Sequence, residues 1–409
     1  MAPPALLLRK NAMTAAKPVH IPFGLLLVLA GLSAFAPLSI DMYLPALPVM
    51  ARDLGGNAAQ ASLTVASFFA GLCFGQLVHG PLSDRIGRRM PLLGGLVLYV
   101  GAGACAALAP TIPVLIAARF VQAFGGCAGL VVSRASVRDR FTPQESAQVF
   151  SLLLLVMSIA PIIAPLIGSW LLLLGTWRLI FWLLTLFGAS VAVATFFGLP
   201  ETRSEQTAAQ ARSESPFGAY RAILGEAQVM AYALTAGFSH MGLLTYLAIS
   251  PDVLVTGFHL SPQTYGWVIA TNGLGLVTTN WINRRLLARI SYDTILRWAN
   301  LGSMMASAVL LADAVTGFGG LLGITIPLFF MVAMIGFTQA NAIAGALARD
   351  PQRAGSISAL VGFMQFGGGA LGAAIAGAFH DGTARPMAMV IFAAYICAGV
   401  ALRALARRR

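Results

Sequence analysis

The sequence predicts an all-α membrane protein of about twelve transmembrane helices, arranged as two pseudo-symmetric six-helix bundles. Three observations carry that prediction. The 409-residue chain is 58% hydrophobic and only 10% charged, with a mean hydropathy of +0.81. Soluble domains hold about a quarter of their residues as Asp, Glu, Lys or Arg, so this chain has too few charges to coat a water-facing surface. Its apolar residues gather into bilayer-length stretches, six before a polar break and six after it. Finally, Lys and Arg cluster between alternate stretches, which sets an orientation.

A spanning helix needs about 20 mostly apolar residues. Such stretches run over about 21–43, 60–80, 91–109, 112–133, 147–173 and 177–199, and again over about 227–250, 264–283, 294–314, 319–343, 355–378 and 386–405. The break at 200–225 is rich in Glu, Arg, Ser, Gln and Ala and reads as a solvated linker. The expected organisation is an N-terminal tail (1–18), a first bundle (19–199), the linker (200–225), a second bundle (226–405) and a C-terminal tail (406–409).

With the N-terminus in the cytoplasm, 22 basic residues fall in cytoplasmic segments. Only Arg52, Arg178 and Arg385 fall on the opposite side, and Arg119 lies within a span. Both termini are therefore expected to be cytoplasmic, in a bacterial inner membrane. Basic residues ahead of an apolar run and Ala34-Phe35-Ala36 imitate a cleavable secretory signal. Cleavage there would leave eleven spans and spoil the charge asymmetry, so a retained first helix is expected, starting from Met1 or Met13.

The net charge of +12 is scattered in small groups rather than gathered on one face, which argues against a nucleic-acid partner. Cys73, Cys105, Cys127 and Cys397 all lie in apolar stretches without CxxC spacing, so neither a disulfide framework nor a metal site is implied. No HExxH or phosphate-loop motif is present, no cofactor is expected, and an enzyme is disfavoured.

The loop after the second span reads Gly80-Pro81-Leu82-Ser83-Asp84-Arg85-Ile86-Gly87-Arg88-Arg89. Gly80 permits close backbone approach and Gly87 a tight turn. Asp84 has basic neighbours and is expected also to face the start of the eleventh span, near Arg353-Ala354-Gly355-Ser356. A contact of that kind can hold two bundles together in one conformation and release them in another. The equivalent loop of the second half, Asn280 to Arg289, resembles a degraded copy, and repeated halves are what many secondary transporters are made of.

The Gly80–Arg89 run resembles the signature loop of the major facilitator superfamily. Arg119-Phe120-Val121-Gln122 with Gly125 and Gly126 is similar to its second drug-antiporter motif, with Ala123 where a glycine is usual. Ala160-Pro161-Ile162-Ile163-Ala164-Pro165-Leu166-Ile167-Gly168-Ser169 in the fifth span resembles the antiporter motif of exporters. The segment Leu38 to Pro48, with Arg138-Asp139 and Trp177-Arg178, narrows the resemblance to the Bcr/CflA branch of drug:proton antiporters. That resemblance implies a proton-coupled exporter of small drug-like molecules, of phenicol or bicyclomycin type, working by alternating access. Export of an endogenous metabolite such as a nucleoside or amino acid is the rival that the sequence leaves open.

Ionisable groups inside spans are costly and mark functional sites by default. Asp41 and Arg119 are the clearest, and with Tyr43 and Gln122 they form the candidate proton-coupling and substrate-cavity set. Both charges are expected in the outer half of the membrane and close enough to offset one another, favouring neutral or zwitterionic cargo over lipophilic cations. Gly80, Asp84, Arg85, Gly87, Arg88 and Arg89 form the candidate conformational-switch loop. Pro161, Pro165 and Gly168 are expected to kink the fifth span and let it pack closely at the seam between the halves. In the second half, His240, Tyr246, Asn272, Asn280, Gln339, Asn341 and Gln365 are candidates for lining a cavity. The expected partners are a small-molecule substrate, protons and the lipid bilayer, with the chain acting as a monomer.

Overall fold

A computed structural model describes residues 23–205, 207–209, 216–350 and 353–406. The predicted N-terminal tail, the alternative start at Met13, and Arg9, Lys10, Lys17, Arg212 and Arg407 to Arg409 lie outside the described residues.

Proline placement shapes the first span. Helix α1 (Phe23–Asp41) contains Pro37, and the chain then turns through a short 3-10 segment (Leu44–Ala46) into α2 (Leu47–Asp53). Pro45 and Pro48 sit in the first turns of these two segments, where a missing N–H removes no intrahelical bond. The span thus runs over Gly24–Asp53, ten residues beyond the end predicted at 43. Pro45 and Pro48 thus restart the helix beyond the predicted end.

The first half continues with α3 (Ala58–Ile86), α4 (Arg89–Ala107), α5 (Ile112–Arg140), α6 (Pro143–Leu174) and α7 (Arg178–Gly198). Asn57 and Gln60 form a capping box at the start of α3, and Thr142 and Glu145 form another at α6. A linker helix, α8 (Pro216–Gly225), leads into the second half. That half comprises α9 (Ala227–Pro251) with a π-helical extension to Gly257, then α10 (Pro262–Leu286), α11 (Tyr292–Thr316), α12 (Gly320–Arg349), α13 (Ala354–Ala378) and α14 (Arg385–Ala406). Among the described residues, eleven helices are long and apolar enough to cross a membrane. The twelfth, α10, has 25 residues but carries Gln263, Thr271, Asn272, Thr278, Thr279, Asn280 and Asn283.

The apolar cores reveal how the halves meet. One cluster crosses both: Leu44, Met50, Phe69 and Trp177 of the first half join Tyr246, Leu254, Tyr265 and Met387 of the second, all at the arginine-poor side. Towards the arginine-rich side the halves have separate cores. The first is built on Leu25, Val28, Leu96 and Val132, and the second on Ile223, Tyr232, Leu296 and Ala346. Burial of apolar surface therefore joins the halves at one end and not at the other, so the gap between them opens towards the arginine-rich side. Ile223 of α8 is part of the second core, so the linker helix rides on the second half.

Two helix pairs form the seam. Helix α3 runs along α13 from Ser62 beside Gly377 to Gln76 beside Gly362, and Cys73 donates to the Phe363 carbonyl at 3.4 Å. Helix α6 runs along α10, where Gln263 donates to the Ser169 carbonyl at 3.1 Å.

Candidate functional site

Arg119, on α5, is fully buried. Its Nη2 donates to the Ser39 carbonyl and its Nη1 to Gln122 Oε1, both at 2.7 Å. Ser39 lies in the last turn of α1, where carbonyls lack intrahelical donors and the helix dipole is negative. Three aromatic faces complete the cage: Phe68 at 4.0 Å from the guanidinium carbon, Tyr43 at 4.2 Å and Phe181 at 5.5 Å. The cation is thus stabilised by dipoles and ring quadrupoles. Arg119 and Asp41 form no ion pair, because the guanidinium is committed to α1's carbonyl end and the rings.

Asp41 is buried, with 4% of its surface exposed, and lies twelve residues before the end of its span at Asp53. Among the described residues it has neither a hydrogen-bond nor an ion-pair partner. Its carboxyl group is within electrostatic reach of Tyr246 on α9 and Tyr265 on α10. Asn272 Nδ2 donates to the Tyr246 hydroxyl at 2.6 Å, and the Tyr265 hydroxyl shares a 3.0 Å hydrogen bond with Ser250. The acid of the first half therefore faces a hydroxyl chain of the second, across the seam. Such a carboxyl can alternate between a neutral acid that donates and a carboxylate that only accepts.

The loop between α3 and α4 is tied down on its own half. Arg88 is buried and pairs with Asp84, with Asp139 of α5 at 2.8 Å and with Ser83 Oγ at 2.8 Å. Gly87 takes φ of +104°, a conformation that favours glycine, and its Cα lies against Glu201. Glu201 begins the linker and accepts from the backbone N–H groups of Arg88 at 2.9 Å and Arg89 at 3.2 Å. Arg203 returns the contact, donating to the Arg85 carbonyl at 2.5 Å, and Arg89 donates to the Phe196 carbonyl at 2.7 Å. Gly80 faces open space. The expected contact of Asp84 with the start of α13 is absent among the described residues: Asp84 pairs with Arg88, and Arg353 pairs with Asp350 at 2.8 Å. The halves part on this side, so each charge is satisfied within its own half. Asp84 does lie within electrostatic reach of Tyr220 on the linker helix.

Pro161 and Pro165 lie inside α6, which stays helical through all 32 residues. Pro161 and Ile162 face Gly273 of α10, and Pro165 and Ser169 face Gly266. Gly168 packs against the backbone of Met42, so closely that a Cβ there would lie 1.7 Å from the Met42 carbonyl oxygen. At the arginine-poor side, Trp177 Nε1 and Arg178 donate to Asp53 at 2.8 and 2.6 Å, and His380 pairs with Asp252 at 2.6 Å. The latter pair borders a cavity lined by Leu47, Pro48 and Ser62 of the first half.

Among the second-half candidates, His240, Gln339 and Gln365 form one hydrogen-bonded triad, and Tyr246 bonds Asn272. Asn341 bonds Asn283 inside the core of its half at 2.8 Å, a structural link. Sequence reasoning missed Glu201, Arg203, Ser39, Phe68 and Phe181. Glu201 offered a signal: it is the first acid after α7 on a side dominated by arginine.

Residues 29–373 match the family model described as Major Facilitator Superfamily. The chain belongs to that superfamily. This transporter is 34% identical over 398 residues to an uncharacterized MFS-type transporter, YdgK, of Bacillus subtilis, covering 96% of this chain and 98% of the relative. It is 30% identical to the bicyclomycin resistance protein homolog of Haemophilus influenzae, covering 94% and 97%. It is also 30% identical to a chloramphenicol resistance protein of Pseudomonas aeruginosa, covering 88% and 85%. These relatives accord with the Bcr/CflA-type motifs. Among solved structures, a bacterial homolog of the human lysosomal transporter Spinster superposes with a TM-score of 0.72 at 15% identity, covering 95% of this chain and 98% of that one. A D-xylose-proton symporter superposes with a TM-score of 0.71 at 15% identity, covering 94% and 96%. Both share the fold of two six-helix halves. The protein is a multi-pass membrane transporter rather than an enzyme.

Proposed function

We propose that this transporter exports small drug-like molecules of the phenicol or bicyclomycin type in exchange for protons. The carrying observation is Asp41, a buried carboxyl without a cation beside it, held on the first half and facing the tyrosine hydroxyls of the second. Protonation changes the charge and the hydrogen bonding of that group at the seam that must part when the protein turns to its other face. A proton and a cargo can then compete for one conformational equilibrium, which is the requirement for antiport. The names of the relatives, which include bicyclomycin and chloramphenicol resistance, support the cargo class. The arginine asymmetry supports cytoplasmic termini in an inner membrane. The present gap then opens to the cytoplasm, the side from which an exporter loads. The route lies between two halves of one chain, so a monomer suffices.

The test is uptake into inverted membrane vesicles with and without an imposed pH gradient. Wild type should concentrate chloramphenicol or bicyclomycin only with the gradient, and Asp41→Asn should lose that concentration while still inserting. Gradient-driven accumulation by Asp41→Asn at the wild-type rate would remove Asp41 from the coupling step.

A further inference from the structure

The three apolar clusters leave a level between them on three helices of the second half. On α9 the separate core ends at Ala236 and the merged core begins at Leu244; His240 lies between. On α12 the corresponding residues are Ala342 and Ile335, with Gln339 between. On α13 they are Val361 and Ala373, with Gln365 between. All three polar side chains therefore sit between the separate core of the second half and the core that both halves share. Each is only partly buried although it lies well inside a spanning helix. His240 shares its face of α9 with Leu243 and Leu247, which are also partly exposed. This is the head of the gap.

Their hydrogen bonds assign the free groups. Gln339 Nε2 lies 3.4 Å from the Ala236 carbonyl, an acceptor, which fixes Nε2 as the donor end of that amide. Nε2 then donates to His240 Nδ1 at 2.7 Å, so the neutral ring carries its proton on Nε2. Gln339 Oε1 accepts from Gln365 Nε2 at 2.5 Å. Gln339 thereby spends both of its N–H donors and acts as a positioning residue. Among the described residues, His240 Nε2–H, Gln365 Oε1 and the second N–H of Gln365 Nε2 are left without partners. None is among the fully enclosed unsatisfied atoms, so all keep some accessible surface. Phe366 sets its ring edge-on to His240 at 5.9 Å, giving an apolar wall beside the polar pair.

From this geometry we infer that His240 and Gln365 clamp a neutral cargo through a secondary amide. The amide carbonyl accepts from His240 Nε2–H, and the amide N–H donates to Gln365 Oε1. The inference rests on the reading of the gap as the cargo route and adds the chemistry by which cargo is held. A site built to bond both groups discriminates strongly against an analogue that lacks one, because a buried polar atom is then left unpaired.

The test is equilibrium binding to the purified full-length protein in nanodiscs, using chloramphenicol, a neutral secondary amide, and its N-methylated tertiary amide. Wild type should bind the secondary amide roughly tenfold more tightly. Gln365→Met should weaken the secondary amide to the level of the tertiary one and so abolish the ratio. His240→Phe should weaken both amides by roughly tenfold, and His240→Gln, which restores a side-chain N–H, should recover most of the loss. Melting temperatures report folding, and if His240→Phe does not fold, the ratio in Gln365→Met decides alone. A wild type that binds neither amide or does not discriminate, or a Gln365→Met variant that keeps the ratio, overturns the inference. Triad-dependent binding without gradient-driven transport would sink the export reading and leave the clamp standing. Gradient-driven transport without triad dependence would do the reverse.

Discussion

Replacing Glu201 with Gln tests whether the start of the linker fastens the loop between α3 and α4. The Glu201 carboxylate accepts four backbone N–H groups, from Arg88 at 2.9 Å, Arg203 at 2.9 Å, Thr202 at 3.0 Å and Arg89 at 3.2 Å. Two of these donors belong to the N-terminal end of α4, where the helix dipole favours an anion. Glutamine keeps the shape and one acceptor oxygen, but it turns an NH2 group towards N–H donors and removes the charge. A buried hydrogen bond to a charged group contributes about 1.5–3 kcal/mol. Glu201 is substantially exposed, so solvent screening reduces the expected loss to about 1–2 kcal/mol for the whole cluster. The melting temperature of the purified protein should fall at neutral pH, and transport should slow as the loop loosens.

The pH dependence carries the sign. Partial desolvation pushes the Glu201 carboxyl up, but the N–H bonds from Arg88, Arg203, Arg89 and Thr202 outweigh it and hold the group below the usual carboxylate range. A depressed carboxyl stabilises the fold above its unfolded pKa and ceases to do so as pH falls through its folded value. The difference between wild type and Glu201→Gln should therefore be constant from about pH 6 upward and close only below about pH 4. Equal melting temperatures at neutral pH, or a gap that widens on acidification, would refute the reasoning.

Asp84→Asn should insert normally and melt close to wild type, since its side chain is 42% exposed, yet transport several-fold more slowly; unchanged vesicle uptake would leave the loop a purely topological role. Arg119→Lys should lose the fit to the Ser39 carbonyl, Gln122 and the rings, because an ammonium is a point charge without a planar fork. We expect a loss of about 2 kcal/mol in stability, read by thermal melting, and a wild-type melt would show that the cage is not stabilising. Gly168→Ala would place a methyl group inside the contact with the Met42 backbone and force α6 away from the first span. Overpacking of that kind costs about 1–3 kcal/mol, so retention of both stability and uptake would show that the contact between α6 and the first span has slack.

Composition and the spacing of apolar stretches determined the class, the two six-helix halves and the arginine asymmetry, because lipid imposes length and apolarity on each span separately. Even α10, too polar to meet the criterion for a spanning helix, was legible from its place in the six-and-six count. The motifs carried the family, and Asp41 and Arg119 stood out as charges in apolar surroundings. Their relation was not legible. Arg119 is held by the Ser39 backbone carbonyl and by aromatic faces, and no residue spacing announces which helix end will lie beside which side chain. For the same reason the sequence could nominate His240, Gln339 and Gln365 separately but could not join them across α9, α12 and α13. Nor could it show that Asp84 pairs within its own half, since that depends on which side of the bundle is closed. Only the tertiary structure decided these points. Span formation is a local property of some twenty residues, whereas pairing of buried polar groups depends on contacts between separate helices, as from Arg119 back to Ser39 or from His240 to Gln339.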